Sequence, residues 1–347
     1  MGYNMLQKQK SGIDGYKRLT DAIAAGKPGN FYIFYGEERY LLDRTLSALR
    51  KLLCPDGLDS FNYKRFDGKG LTIRELDDAI NMLPSFAERT LVEIHDFDIF
   101  KDDHKEIYRQ MTSDLPDYIC LVFVFDTVPY KPDARVKINA QILENANVVE
   151  FGLQEQAKLA AWITRHFSAA GKRITVQDAE YLAMITGGYM SSLHGEIGKV
   201  AAYAKEEKVT RADIDAVVTP VLDTVAYKLT DALASRDHIK AMSILDELFQ
   251  MHEAPHKLIF TISLKMRQIL AARICLENGS GIMELMVICG LKEEWKARPL
   301  LETARRMTLA GCKAAVLACC DTAYELNSSP EPEARIIELI TKLAYIS

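Results

Sequence analysis

The rhythm of hydrophobic and polar positions changes near residue 150. Before it, short runs of consecutive apolar residues alternate with amphipathic stretches; after it, apolar residues recur almost everywhere at three- and four-residue spacing. The runs Phe31-Tyr32-Ile33-Phe34-Tyr35 and Cys120-Leu121-Val122-Phe123-Val124-Phe125 are apolar at every position, as strands covered on both faces must be. Strands are predicted at 31–35, 62–66, 91–94, 119–125 and 148–151. The helical segments between them, at 40–53, 71–83, 102–113 and 134–146, have the length of crossovers between parallel strands. Residues 1–150 are therefore expected to form an α/β domain, a mainly parallel sheet between helix layers.

The remainder is expected to be all-α. Helices are predicted at 154–170, 176–186 and 190–206, with a short one opened by Thr210 and Arg211-Ala212-Asp213 before Pro220; Gly171-Lys172 and Gly187-Gly188 supply stops. This gives a small helical domain over 151–220. A third block, 221–347, holds amphipathic segments at 222–235, 237–251, 255–277, 291–305 and 309–327. It closes with 331–345, whose Ile336, Ile337, Leu339, Ile340 and Leu343 need a neighbour to cover them.

One corner departs from this grammar. Ile73, Leu76, Ile80 and Leu83 trace one face of a helix that Pro84 ends near the preceding residue, and Thr90-Leu91-Val92-Glu93-Ile94 follows as a strand. Between them stands Leu83-Pro84-Ser85-Phe86-Ala87-Glu88-Arg89, with a proline and a phenylalanine where polar turn residues are usual. A phenylalanine there either folds inward as core or points outward to fill a partner's pocket, and exposed aromatic anchors dominate binding energy where they occur.

Composition narrows the function classes. The net charge of −5 supplies no global basic field, so nucleic-acid contact requires a local patch or partner subunits. No run of about eighteen apolar residues exists, and Met1-Gly2-Tyr3-Asn4-Met5-Leu6-Gln7-Lys8 lacks the order of a signal peptide, so a cytoplasmic protein without a membrane role is expected. The seven cysteines show no CxxC or Cys/His ligand spacing and read as small core residues.

Candidate chemistry narrows them further. Tyr35-Gly36-Glu37-Glu38-Arg39-Tyr40 joins the first strand to its helix, where a nucleotide-binding domain carries its phosphate loop. None of Gly26-Lys27, Gly68-Lys69 and Gly171-Lys172 is followed by Ser or Thr, and Glu37 and Glu38 favour a helix N-terminus while repelling a triphosphate. The nucleotide site is read as closed, with no cofactor expected. The alternative is an active AAA+-type ATPase with a divergent loop, which nucleotide binding would reveal. His252-Glu253-Ala254-Pro255-His256 matches HExxH, the signature of a zinc hydrolase, but Pro255 interrupts the helix that must carry both histidines and suits the first position of the next one. No metal site is expected. Lys257, Lys265, Arg267, Arg273, Arg305-Arg306 and Lys313 form basic patches, read as solvated faces with DNA backbone contact as the rival.

Taken together these residues resemble the delta subunit of the bacterial DNA polymerase III clamp loader along nearly the whole chain. The resemblance rests on the apolar strand running into Gly36-Glu37-Glu38 and on the corner Leu83–Arg89. It continues through Thr186-Gly187-Gly188 with Leu193 and Glu196-Ile197-Gly198-Lys199-Val200, then Glu253-Ala254-Pro255 through Lys257-Leu258 and Arg267-Gln268-Ile269-Leu270. It implies an AAA+-like parallel-sheet domain without a functional P-loop, a small helical lid domain and a helical collar domain that joins a pentameric loader. It also implies an accessory subunit of a DNA-directed DNA polymerase holoenzyme, with no catalysis of its own. The implied partners are the sliding clamp (beta subunit), the delta prime, gamma and tau subunits through the collar, and primer-template DNA through the complex. Phe86 matches the main aromatic anchor for the clamp and Leu83 a supporting contact, with Pro84 and Ser85 in the same clamp-binding corner; Glu88 and Arg89 match residues that orient the loop. Ser85 departs from the bulky apolar residue that often precedes the phenylalanine, a difference of about 1.5–3 kcal/mol of buried contact.

Overall fold

The computed structural model describes residues 13–54, 59–101, 105–328 and 330–346. The stretch 1–8, considered above as a leader, and residues 102–104, the expected start of a helix, lie outside the described residues. The chain parts into two compact units, Met1–Gln154 and Glu155–Ser347.

The first unit runs α1 (Ile13–Ala24), β1 (Phe31–Tyr35), α2 (Arg39–Leu53), α3 (Asp59–Asn62), β2 (Tyr63–Asp67), α4 (Ile73–Ile80), β3 (Thr90–His95), α5 (Lys105–Ser113), β4 (Ile119–Phe125), α6 (Lys137–Asn145) and β5 (Asn147–Glu150). The strands form one sheet in the order β2-β3-β4-β1-β5, and every pairing is parallel. Ile33 lies opposite Phe123 and Val148, and Ile94 opposite Phe123, so one apolar row crosses four strands. Because side chains alternate along a strand, the apolar runs serve two cores. Phe31, Ile33, Val92, Ile94, Leu121 and Phe123 meet Leu76 and Ile80 of α4, Tyr108 of α5 and Ile142 of α6. On the other face Tyr32, Phe34, Leu91, Cys120, Val122 and Val124 meet Leu19 of α1 and Leu42, Leu46 and Leu49 of α2. This is the α/β layering expected from the sequence. Helices α1 and α3 were not predicted.

The second unit is helical: α7 (Gln156–Ala169), α8 (Val176–Ile185), α9 (Met190–Tyr203), α10 (Arg211–Val217), α11 (Leu222–Ala234), α12 (His238–Gln250), α13 (Pro255–Glu277), α14 (Ile282–Cys289), α15 (Glu294–Arg305), α16 (Leu309–Glu325) and α17 (Pro332–Ile346). Gly187 and Gly188 both have left-handed backbone, φ +81° and +80°, and a Cβ on Gly188 would lie 3.1 Å from the Trp295 ring. The double glycine therefore answers both to a turn and to a close approach. Helix α17 buries Ile336, Leu339, Ile340 and Leu343, whereas Ile337 stays partly exposed. Helix α14, missed in the sequence, is apolar at nearly every position and so lacks the polar face that marks helical periodicity.

One reading from the sequence changes here, and the placing of Pro255 holds. Lys265 belongs to no solvated face: it is 3% exposed, with Nζ 2.7 Å from Oδ1 of Asp223 and 3.7 Å above the Tyr227 ring. Burial pushes its pKa down, against the opposing pull of Asp223. Lys257, Arg273 and Arg306 are likewise paired within the unit, with Glu253, Glu277 and Asp231. The HExxH residues fall on two elements. His252 sits in left-handed backbone after α12, at φ +52°, and His256 lies in the first turn of α13 after Pro255, so no single helix carries both.

Candidate functional site

In a parallel sheet all strands begin at one edge and end at the other. The two candidate sites of the first unit lie at opposite edges.

The edge where strands end is where α/β domains bind nucleotides, and here it is filled by the chain itself. The turn from β1 to α2 holds Gly36 at φ +136°, where a Cβ would come within 2.2 Å of the Phe151 carbonyl oxygen. Phe151 N–H donates to the Tyr35 carbonyl (2.7 Å), and its own carbonyl accepts from the Glu38 N–H (2.9 Å). A backbone donor that a phosphate cradle would need at the helix N-terminus is thus committed to protein. Glu38 itself is fully buried at the N-cap of α2. Nearby, Tyr35 stacks on Tyr130 with centroids 4.0 Å apart. Asp126, just past β4, pairs with Arg39 and with His95 Nδ1 (2.6 Å). Asp96, in left-handed backbone after β3 (φ +57°), accepts from the N–H groups of Asp126 (2.8 Å), Thr127 (2.7 Å) and Val128 (3.0 Å) and from the Thr127 hydroxyl (2.8 Å). Burial pushes its carboxyl pKa up, but the donors at Val128 and Thr127, with His95, outweigh that and hold it below the ordinary 3.8. Among the described residues no cluster of His, Cys, Asp and Glu is placed to hold a metal ion.

The corner Leu83–Arg89 lies at the edge where strands begin. The sequence places Leu83 on the apolar face of a helix over 71–83, but α4 stops at Ile80. Its start is a capping box, Thr72 with Glu75. Its end is drawn in by Asn81, whose Nδ2 donates to the Asp77 carbonyl (2.9 Å) and contacts Asp77 Oδ1 (3.0 Å). Such a side chain competes with helix continuation, and Pro84 keeps Leu83 out of helical backbone. Leu83 is released from the core face and is 69% exposed.

Phe86 is 88% exposed, so it is not part of the core. Its backbone is left-handed, φ +59°, a conformation that costs a non-glycine residue about 1–2 kcal/mol. Two anchors hold the corner around it. The Asn62 side chain, buried at the end of α3, pairs with the backbone of Ser85: Ser85 N–H donates to Oδ1 (2.7 Å) and Nδ2 donates to the Ser85 carbonyl (2.7 Å). The Arg89 guanidinium donates to the carbonyls of Pro28 (2.7 Å), Gly29 (3.0 Å) and Ile119 (3.0 Å) and to Oδ1 of Asn30 (2.7 Å). It thereby ties the corner to the chain entering β1 and β4. Glu88 is exposed and Pro84 and Ser85 are half-buried. Sequence reasoning missed Asn62, assigning it to a strand; an asparagine before a strand is an ordinary turn signal, and its partner lies 23 residues away.

The family model described as DNA polymerase III, delta subunit matches residues 32–152, and that of the DNA polymerase III delta subunit, C-terminal domain matches residues 223–342. The chain is 24% identical over 330 residues to DNA polymerase III subunit delta of Bacillus subtilis, covering 92% of this chain and 93% of that one. It is 21% identical over 275 residues to a probable DNA polymerase III subunit delta of Aquifex aeolicus, covering 76% of each. Among solved structures it is similar in fold to the Bacillus subtilis DNA clamp loader delta protein, with TM-score 0.64 and 20% identity, covering 95% of this chain and 99% of that one.

Proposed function

The chain belongs to the DNA polymerase III delta subunit family, and from that premise we propose that its clamp-loader work is done by the corner Leu83–Phe86, docking into the sliding clamp and favouring an opened ring. The observation that carries this reading is Phe86: a large apolar side chain, almost wholly exposed, in unfavourable backbone on a corner anchored from two sides. A hydrophobic residue held out against both solvation and local strain is the form of a docking anchor rather than of misplaced core. Phe86 enters the clamp pocket, Leu83 broadens the contact, and Pro84 and Ser85 shape the corner. Glu88 and Arg89 orient it.

Opening needs no catalysis by this chain. A wedge that binds the open ring better than the closed one shifts that equilibrium by its differential affinity alone. The self-filled strand-end edge supports a subunit that binds no nucleotide, with ATP acting through sibling subunits. Residues 151–220 serve as a lid domain and 221–347 as the collar that meets delta prime, gamma and tau; primer-template DNA is reached through the complex, in the cytoplasm. The test is calorimetric binding of the full chain to the clamp of the same organism, without nucleotide. Phe86→Ala is expected to weaken binding by about 2 kcal/mol or more while changing stability by less than about 0.5 kcal/mol. Unchanged affinity would refute the docking assignment.

A further inference from the structure

Asn62 is fully buried, and it holds the residue next to Phe86 by both of its backbone polar groups, at 2.7 Å each. We propose that Asn62 is a positioning residue for clamp docking: it keeps the corner in the one conformation in which Phe86 projects, so that the clamp meets a preformed anchor. This rests on the docking reading of Phe86.

The argument starts from strain. Left-handed backbone at a phenylalanine persists only where the surroundings over-determine it, and the Phe86 side chain, being exposed, packs on little that could do so. The constraint must therefore come through the flanking backbone. On the downstream side Arg89 fastens the base of the corner to Pro28, Gly29, Asn30 and Ile119, but Ala87 and Glu88 separate it from Phe86. On the upstream side Pro84 fixes its own φ and has no N–H to contribute. The pair from Asn62 grips Ser85, one residue from the strained position, and does so from a fully buried residue whose own backbone carbonyl accepts from the buried Cys54 thiol. An amide is suited to this: one oxygen and one NH2 satisfy a backbone N–H and a carbonyl at once. Without that grip the corner relaxes toward ordinary backbone, and docking must first restore the projecting form, which lowers affinity by the fraction of molecules that hold it.

The test is a double-mutant cycle in the full chain, read as affinity for the clamp, together with amide hydrogen exchange of residues 85–88. Asn62→Ala is expected to weaken binding about tenfold and to speed exchange at the corner, while the same substitution in a Phe86→Ala background changes affinity little. Asn62→Ser, which remains polar but is too short to span both Ser85 groups, should act in the same direction and serves if the alanine variant folds poorly. A Phe86→Ala loss with no loss from either Asn62 variant would overturn the inference and leave the docking reading standing. Equal Asn62 losses with and without Phe86 would also overturn it, because Asn62 would then act elsewhere. No effect of Phe86→Ala would remove the docking reading and this inference with it.

Discussion

Phe86 carries two opposed quantities: an exposed ring that contributes little to folding, and left-handed backbone that works against it. Replacing it by glycine removes both. Phe86→Gly is expected to raise stability by about 0.5–1 kcal/mol while abolishing docking, so thermal melting and clamp affinity should move in opposite directions; a lower melting temperature would mean that the ring packs after all. Arg89 is the converse case, a residue whose loss is felt in the fold. Arg89→Met removes a donor shared by four acceptors at the strand-start edge and is expected to cost about 2–4 kcal/mol in chemical denaturation, with docking weakened as well. Asp96 adds a pH dependence. Its carboxyl is held below 3.8 in the folded protein, so the stability it contributes is present above that ordinary value and is lost as pH falls through the lower folded one. Asp96→Ala should flatten the dependence of melting temperature on pH in the acid range below about 4; an unchanged slope would locate the acid sensitivity in other groups.

At the scale of elements, two connections decide what the first unit can do. The turn from β1 to α2 is closed by contact of Gly36 with Phe151, where added carbon meets a backbone carbonyl at 2.2 Å. Gly36→Ala is expected to destabilise the protein by more than about 2 kcal/mol, measured in urea, because both the left-handed backbone and the contact with β5's outgoing chain resist a side chain. The connection from α4 to β3 does the opposite work. It ends the helix early, at Ile80, and leaves enough chain for Leu83 and Phe86 to stand outside the core that Leu76 and Ile80 enter.

For the whole molecule, the separation of the two edges matters. The strand-end edge, where a nucleotide would sit, is knitted to itself through Phe151, Asp96 and Asp126, while the strand-start edge presents the corner Leu83–Arg89. On the proposed mechanism the ring, not the wedge, is the two-state element. A clamp whose subunit interface is locked shut by an engineered disulfide should then bind this chain more weakly than the same clamp after reduction, with the ratio giving the differential affinity available for opening. Equal affinities would show that the corner binds the clamp without favouring its open form.

The sequence alone determined the layering of the first unit. Runs such as 31–35 and 119–125, apolar at every position, have no stable place except between two helix layers, and the three- and four-residue periods after 154 have none except in helices. It also determined that the β1–α2 turn lacks a phosphate loop, since that chemistry depends on local residue types. Tertiary structure decided the rest, because the deciding contacts join residues far apart in the chain. Leu83 keeps helical spacing with Ile80, and only the early end of α4 puts it in water; Lys265 looks like a surface charge until Asp223 and Tyr227 surround it. Asn62 reads as the first residue of a strand until folding closes α3 and brings it to Ser85. Whether Phe86 belonged to the core or to the surface was likewise open in the sequence, for the same apolar side chain suits either, and only the fold leaves it 88% exposed beside a Ser85 backbone bound at both polar groups.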